Sequence, residues 1–152
     1  MWWQREYVGK NHNGRPDLID IARGKNCEWT GIKLMNPPFY NMYWEDMDGA
    51  YFHDFEIFVD IWGQLGLNKF FDHTLGKFAR IPTFPLNTDG IDPSGKNVLI
   101  ERVKITNFDD AVAVKPMNKK GYLAQCSENM YIRDLEVTYG VGMTIGSVPA
   151  NK

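Results

Sequence analysis

The chain has 152 residues, 43% of them hydrophobic, 14% aromatic and 24% charged, with a formal net charge of −2. That length holds one domain with a sizeable core, and the composition excludes a disordered chain. The charge balance leaves no electrostatic footprint for nucleic acid, no apolar run approaches the roughly 18–20 residues of a membrane span, and the start MWWQREYVGKNHNGRP lacks the apolar segment of a secretory signal.

In chain order, residues 2–13 are expected to form an irregular lead-in, residues 18–22 a strand and Gly24 a turn. Residues 27–34 place apolar side chains at Cys27, Trp29, Ile32 and Leu34, spaced as two alternating pairs split by a two-residue skip. Asn36-Pro37-Pro38 reads as a corner, because neither proline can donate to a strand ladder. Residues 39–44 start the next face, and residues 45–49 turn into a second copy of the pattern at Ala50, Phe52, Phe55 and Ile57. Residues 62–86 break the rhythm, with Phe70, Phe71, His73, Phe78, Arg80 and Phe84 but no clean repeat. So long a segment in a compact domain is expected to be an inserted loop that covers a site. It runs into Asn87-Thr88-Asp89-Gly90, after which the pattern returns at Val98, Ile100, Val103 and Ile105. Asp109-Asp110 and Lys115 follow, then a loop holding Lys119-Lys120, then a fourth copy at Met130, Ile132, Leu135 and Val137.

Alternation gives each copy one buried face, and the skip marks a bend that re-aims the next face inward. Asn26, Gly49, Asn97 and Asn129 precede the four copies, and the spacings between copies are 23, 48 and 32 residues. Asparagine and glycine suit a left-handed turn position, and stacked asparagines can bond along an axis. A constant motif with variable insertions is the pattern of a solenoid, here an all-β chain wound as a parallel β-helix. Strand spacing alone leaves a β-sandwich open as the alternative.

Asp89 and Asp109 are 20 residues apart, about one turn of a solenoid whose repeats run to roughly 20–45 residues. Asp89, Asp109 and Asp110 would then stack on neighbouring coils about 4.8 Å apart. Singly, each is an ordinary turn aspartate. Together they form the set that glycoside hydrolysis requires, one carboxyl kept protonated and others ionised to activate water. His12, His53 and His73 lack metal-ligand spacing, so no metal or cofactor is expected, and His53 reads as a surface turn residue. Cys27 and Cys126 read as free thiols, with a disulfide left open. Gly140-Val141-Gly142 is a corner, not a dinucleotide motif.

Asn87-Thr88-Asp89-Gly90 followed by Asp109-Asp110-Ala111-Val112-Ala113-Val114-Lys115 resembles the polygalacturonases, glycoside hydrolase family 28. The likeness extends from Arg15-Pro16 through Gly31-Ile32 and Leu34 to the segment 142–148. It implies a right-handed parallel β-helix, the pectin lyase-like solenoid, incomplete at both ends because the family has further coils before and after. It also implies an inverting, extracellular glycosidase acting on pectic polysaccharide. The acid would be Asp109, and Asp89 and Asp110 would activate water. Lying between two other acids, Asp109 is expected to carry the raised pKa. Asn87 would orient the loop or contact substrate, and Lys115 would pair with a galacturonate carboxylate or sit on a solvated face. The loop aromatics would stack on sugars or pack the loop. Three departures stand out: Val141 replaces the family histidine, no Arg-Ile-Lys segment occurs, and Phe108 and Ala111 flank the acid pair where Gly or Gln and Cys are usual. Two other readings are kept: a non-catalytic carbohydrate-binding or structural β-helix, and a calcium-dependent pectate lyase. Bare coil ends predict self-association.

Overall fold

The computed structural model describes residues 3, 14–67, 69–72, 74, 76–80, 85–117 and 125–148. The elements are β1 (Ile19–Ala22), β2 (Lys25–Thr30), β3 (Lys33–Met35), β4 (Met42–Glu45) and β5 (Met47–Phe58). They continue with α1 (Ile61–Leu67), β6 (Lys69–Asp72), β7 (Lys77–Arg80), β8 (Ile91–Asp92), β9 (Gly95–Asn107), β10 (Asp110–Val114), β11 (Glu128–Tyr139) and β12 (Gly142–Ile145). One sheet runs β1-β4-β8-β10-β12; the other runs β11-β9-β5-β2, with β3 also on β5. Every pairing within these two sheets is parallel. The chain therefore passes from one sheet to the other and back in each coil, as a parallel β-helix.

The register reproduces the sequence repeat. Ala50, Phe52, Phe55 and Ile57 pair with Val98, Ile100, Val103 and Ile105. These in turn pair with Met130, Ile132, Leu135 and Val137, while Cys27, Trp29 and Leu34 pair with Ala50, Phe52 and Ile57. The second residue of each two-residue skip (Gly31, Asp54, Arg102 and Asp134) has φ between 52° and 67°. The bend is thus one left-handed residue repeated on every coil. The residues preceding each copy are also left-handed, and Asn129 Nδ2 donates to Asn97 Oδ1 at 3.0 Å. The aligned rows fill the interior, where Trp44 and Phe52 lie with ring centroids 3.6 Å apart. Fully buried side chains such as Ile57, Ile100 and Ile105 contribute about 1.5–3 kcal/mol each.

Residues 62–86 differ from the expected irregular loop. They include most of α1 and an antiparallel hairpin, β6 on β7, whose register runs Lys69 to Arg80 through Asp72 to Lys77. Gly76, at φ 60°, lies in its turn. Most of the lead-in 2–13, with His12, lies outside the described residues, as do His73, Phe84, Lys119, Lys120 and the side chains of Phe70, Phe71, Phe78 and Arg80. His53 is more than a surface turn residue. Its ring stacks on Tyr51 at 4.0 Å and bonds to Glu28 and Asp54, which raise its pKa. Cys27 and Cys126 are free. On the last rungs Tyr131, Tyr139, Val141, Met143 and Ile145 are exposed, Ile145 to 84%.

Candidate active site

The coil ladder sets the acids side by side. Residues 89–90 lead into β8, and residues 109–110 turn the chain from β9 into β10. The Gly90 N–H donates to the Asp110 carbonyl at 2.8 Å, and the Asn41 N–H to the Asp89 carbonyl at 2.9 Å. Gly90 is required by close approach, since a Cβ there would be driven into the Ala111 carbonyl oxygen. Two fully buried asparagines lock the same corner. Asn41 Nδ2 donates to the carbonyls of Thr88 and Asp89 at 3.3 and 3.0 Å. Asn107 Nδ2 donates to those of Thr88, Asp109 and Asp110 at 3.2, 3.1 and 2.7 Å.

An oxygen from each of Asp89, Asp109 and Asp110 lies within 4.8 Å of the others. The same three oxygens are near enough to hold a hard cation. Asp89 is 4% exposed and its Oδ1 has no hydrogen-bond partner. Its pKa is pushed up to about 8, first by burial and then by the charges of Asp92 and Asp109, with Lys115 opposing. Crowding alone pointed to Asp109 for the raised value, whereas burial places a raised pKa on Asp89. Asp109 Oδ2 accepts the Asn87 N–H at 3.0 Å, and its Oδ1 accepts the Asp110 N–H at 2.9 Å. Asp110 Oδ2 accepts the Thr144 hydroxyl at 2.9 Å.

Asn87 is left-handed at φ 56°; its N–H donates to Asp109 Oδ2 and its Oδ1 accepts Arg15 Nη2 at 3.3 Å. Lys115, expected at a substrate carboxylate or on a solvated face, is not solvated. It is 8% exposed, its ammonium lies 3.3 Å from Asp92 Oδ2, and it donates to the Gly146 carbonyl at 2.7 Å. Asp92 is itself fully buried, so a counter-charge is consumed inside the protein. Sequence reasoning missed Asn41, Asp92, Asn107 and Thr144 as parts of the site. Of these, Asp92 lies three residues past Asp89, Asn107 two before Asp109, and Thr144 inside the segment 142–148 that carries the family likeness, so only Asn41 stood apart from the segments singled out for the site.

The whole chain, residues 1–152, matches the description glycosyl hydrolases family 28. The chain belongs to this family. It is 29% identical over 150 residues to an endo-polygalacturonase of Pectobacterium carotovorum subsp. carotovorum, covering 96% of this chain and 31% of that protein. It is 31% identical over 103 residues to a probable endo-xylogalacturonan hydrolase A of Aspergillus flavus, covering 67% and 21%. A probable polygalacturonase of Vitis vinifera is 30% identical over 116 residues, covering 76% and 19%. The chain thus spans about a third or less of the length of these relatives. No solved structure gives a significant match. In this member of family 28, Val141 stands where the family resemblance calls for histidine. Its N–H donates to the Asp109 carbonyl at 2.9 Å and its side chain is 69% exposed, so the residue above Asp109 offers only an apolar group.

Proposed function

We propose that this chain forms the catalytic coils of a pectin-directed glycosidase that hydrolyses a galacturonan backbone. The observation that carries this reading is the convergence of Asp89, Asp109 and Asp110 on neighbouring coils. One carboxyl donates its proton to the glycosidic oxygen as the C–O bond breaks. An ionised carboxyl takes a proton from the water that attacks the anomeric carbon. By resemblance the donor is Asp109, and Asp89 and Asp110 activate the water. Burial raises the pKa of Asp89 to about 8, which supports a protonated acid in this cluster near neutrality. Inversion rests on the resemblance, since the carboxyl spacing does not distinguish the two courses. The substrate would be an extracellular polysaccharide, and the 152 residues act as one partial domain.

The test is release of reducing ends from polygalacturonate, with the anomer of the product read by NMR. Asp109→Asn is expected to abolish release, and chelation of divalent cations to leave it unchanged. Loss of activity on chelation would instead support a calcium-dependent lyase. Val141 favours a second reading, a binding β-helix that kept its acids but lost a supporting group. Under the enzyme reading Val141→His raises the rate, with a positioned acid–base partner worth about 10²–10⁴-fold. Binding of polygalacturonate without release in either form supports the second reading.

A further inference from the structure

The corner that leads into the β1-β4-β8-β10 sheet repeats on each coil, and one side chain ties several of these corners together. Arg15 stands before β1, Pro38 before β4, Leu86 and Asn87 before β8, and Asp109 before β10. From the first corner Arg15 Nη1 donates to the Pro38 carbonyl at 3.2 Å and to the Leu86 carbonyl at 2.9 Å. Its Nη2 donates to Asn87 Oδ1 at 3.3 Å, and the guanidinium lies 4.7 Å from the centroid of the Phe39 ring. The second corner is itself fixed, since Trp3 Nε1 donates to the Pro37 carbonyl at 2.9 Å. Arg15 is 8% exposed. A cation buried that far is tolerated only where acceptors meet it. The planar fork of arginine reaches acceptors on two coils in one fixed geometry, which the point charge of a lysine does not.

One contact of this set reaches the acids. The Leu86 carbonyl and the Asn87 N–H belong to the same peptide group. Its oxygen accepts from Arg15, and its N–H donates to Asp109 Oδ2 at 3.0 Å. A single planar unit thus links guanidinium to carboxyl, and hydrogen bonds in such a chain polarise one another. The aim of that unit depends on Asn87 keeping its left-handed φ of 56°, which asparagine tolerates and the Arg15 bond to Oδ1 helps to hold. When a protonated Asp109 gives its proton to the glycosidic oxygen, its two oxygens take on the negative charge. The Asn87 N–H is already aimed at one of them and the Asp110 N–H at the other. Donors fixed in place where charge develops lower the barrier to its development. We propose that Arg15 is a positioning residue for Asp109, acting through the Leu86–Asn87 peptide group to keep a donor on the carboxyl as it loses its proton. This rests on the glycosidase reading with Asp109 as its acid.

The experiment compares two substrates of the 152-residue chain, a galacturonate hexamer and a nitrophenyl trigalacturonide. A sugar hydroxyl leaves only with a proton from the acid, whereas nitrophenolate leaves with little help, so a defect in the acid shows on the first substrate alone. Arg15→Met removes the contacts to Pro38, Leu86 and Asn87. It is expected to lower kcat on the hexamer about 10²-fold with KM unchanged, the scale of a misplaced catalytic group, and to leave kcat on the nitrophenyl substrate nearly as in the parent. A fold defect lowers both by one factor, because it removes active molecules. Arg15→Lys keeps a buried cation where the methionine variant may not fold, and is expected to show the same split between substrates in smaller measure. Equal losses on the two substrates in Arg15→Lys overturn the proposal and leave the glycosidase reading standing. So does full activity of both variants on the hexamer, or a raised KM with kcat unchanged, which would put Arg15 on the substrate instead. If the parent chain cleaves neither substrate, the glycosidase reading fails and the role of Arg15 with it.

Discussion

Asp89→Asn keeps the side-chain volume and removes the ionisable proton, so it isolates the cost of charging this one group. Asp89 has its pKa raised from 3.8 to about 8, burial being the first cause. Between those values the folded chain holds a proton that the unfolded chain has released, so stability falls as pH rises through this window. At about 1.4 kcal/mol per pH unit, the ionised form costs on the order of 5 kcal/mol by pH 8. That is an upper figure, because the folded chain can relax around the ionised group and admit water to it. The variant is therefore expected to match the parent near pH 4 and to exceed its stability by about 2–5 kcal/mol at pH 8. Urea unfolding at pH 4.5, 6 and 8 reads this directly, provided the slope with denaturant is unchanged between the proteins. A stability difference that stays constant across the three pH values would refute the buried, proton-holding Asp89.

Two further outcomes follow from the same corner. Lys115→Met leaves Asp92 buried without its ammonium, at 3.3 Å in the parent, and is expected to cost about 3–5 kcal/mol at pH 7 by urea unfolding. A change below about 1 kcal/mol, in the range of an exposed ion pair, would mean that Lys115 is solvated after all. Gly90→Ala drives a methyl group into the Ala111 carbonyl and is expected to cost about 1–3 kcal/mol and to disturb the Asp89–Asp110 spacing. Unchanged stability and unchanged activity together would show that β8 and β10 have room to part.

The coils were legible because burial in a solenoid repeats with the chain itself. Phe52, Ile100 and Ile132 occupy the same place in three copies and pair in that order in space. The skip implied a bend but not its form, a left-handed residue in all four copies although it is Gly31, Asp54, Arg102 and Asp134 in turn. Convergence of the acids followed from the same repeat. What did not follow was anything decided by how deep a side chain sits on the outer face. Lys115 is polar, outward and next to the site in sequence, yet it is buried against Asp92, because burial there depends on what covers the sheet. The hairpin at 69–72 and 77–80 was missed because its strands follow their own pairing, not the coil period.

Burial at the acid cluster shows why spacing brings the three aspartates together but does not say how they differ. Crowding acts on Asp89, Asp109 and Asp110 together, since an oxygen of each lies within 4.8 Å of the others. Burial acts on them unequally. Asp89 is sealed under the Asn41 and Asn107 clamps, with one oxygen left without a donor, whereas Asp109 accepts two backbone N–H groups and Asp110 a threonine hydroxyl. Donors stabilise a carboxylate and burial without donors stabilises the acid. Burial and missing donors, not spacing, are then what set Asp89 apart from its two neighbours, and any ligand that brings a hydrogen-bond donor to Asp89 Oδ1 would favour its ionised form.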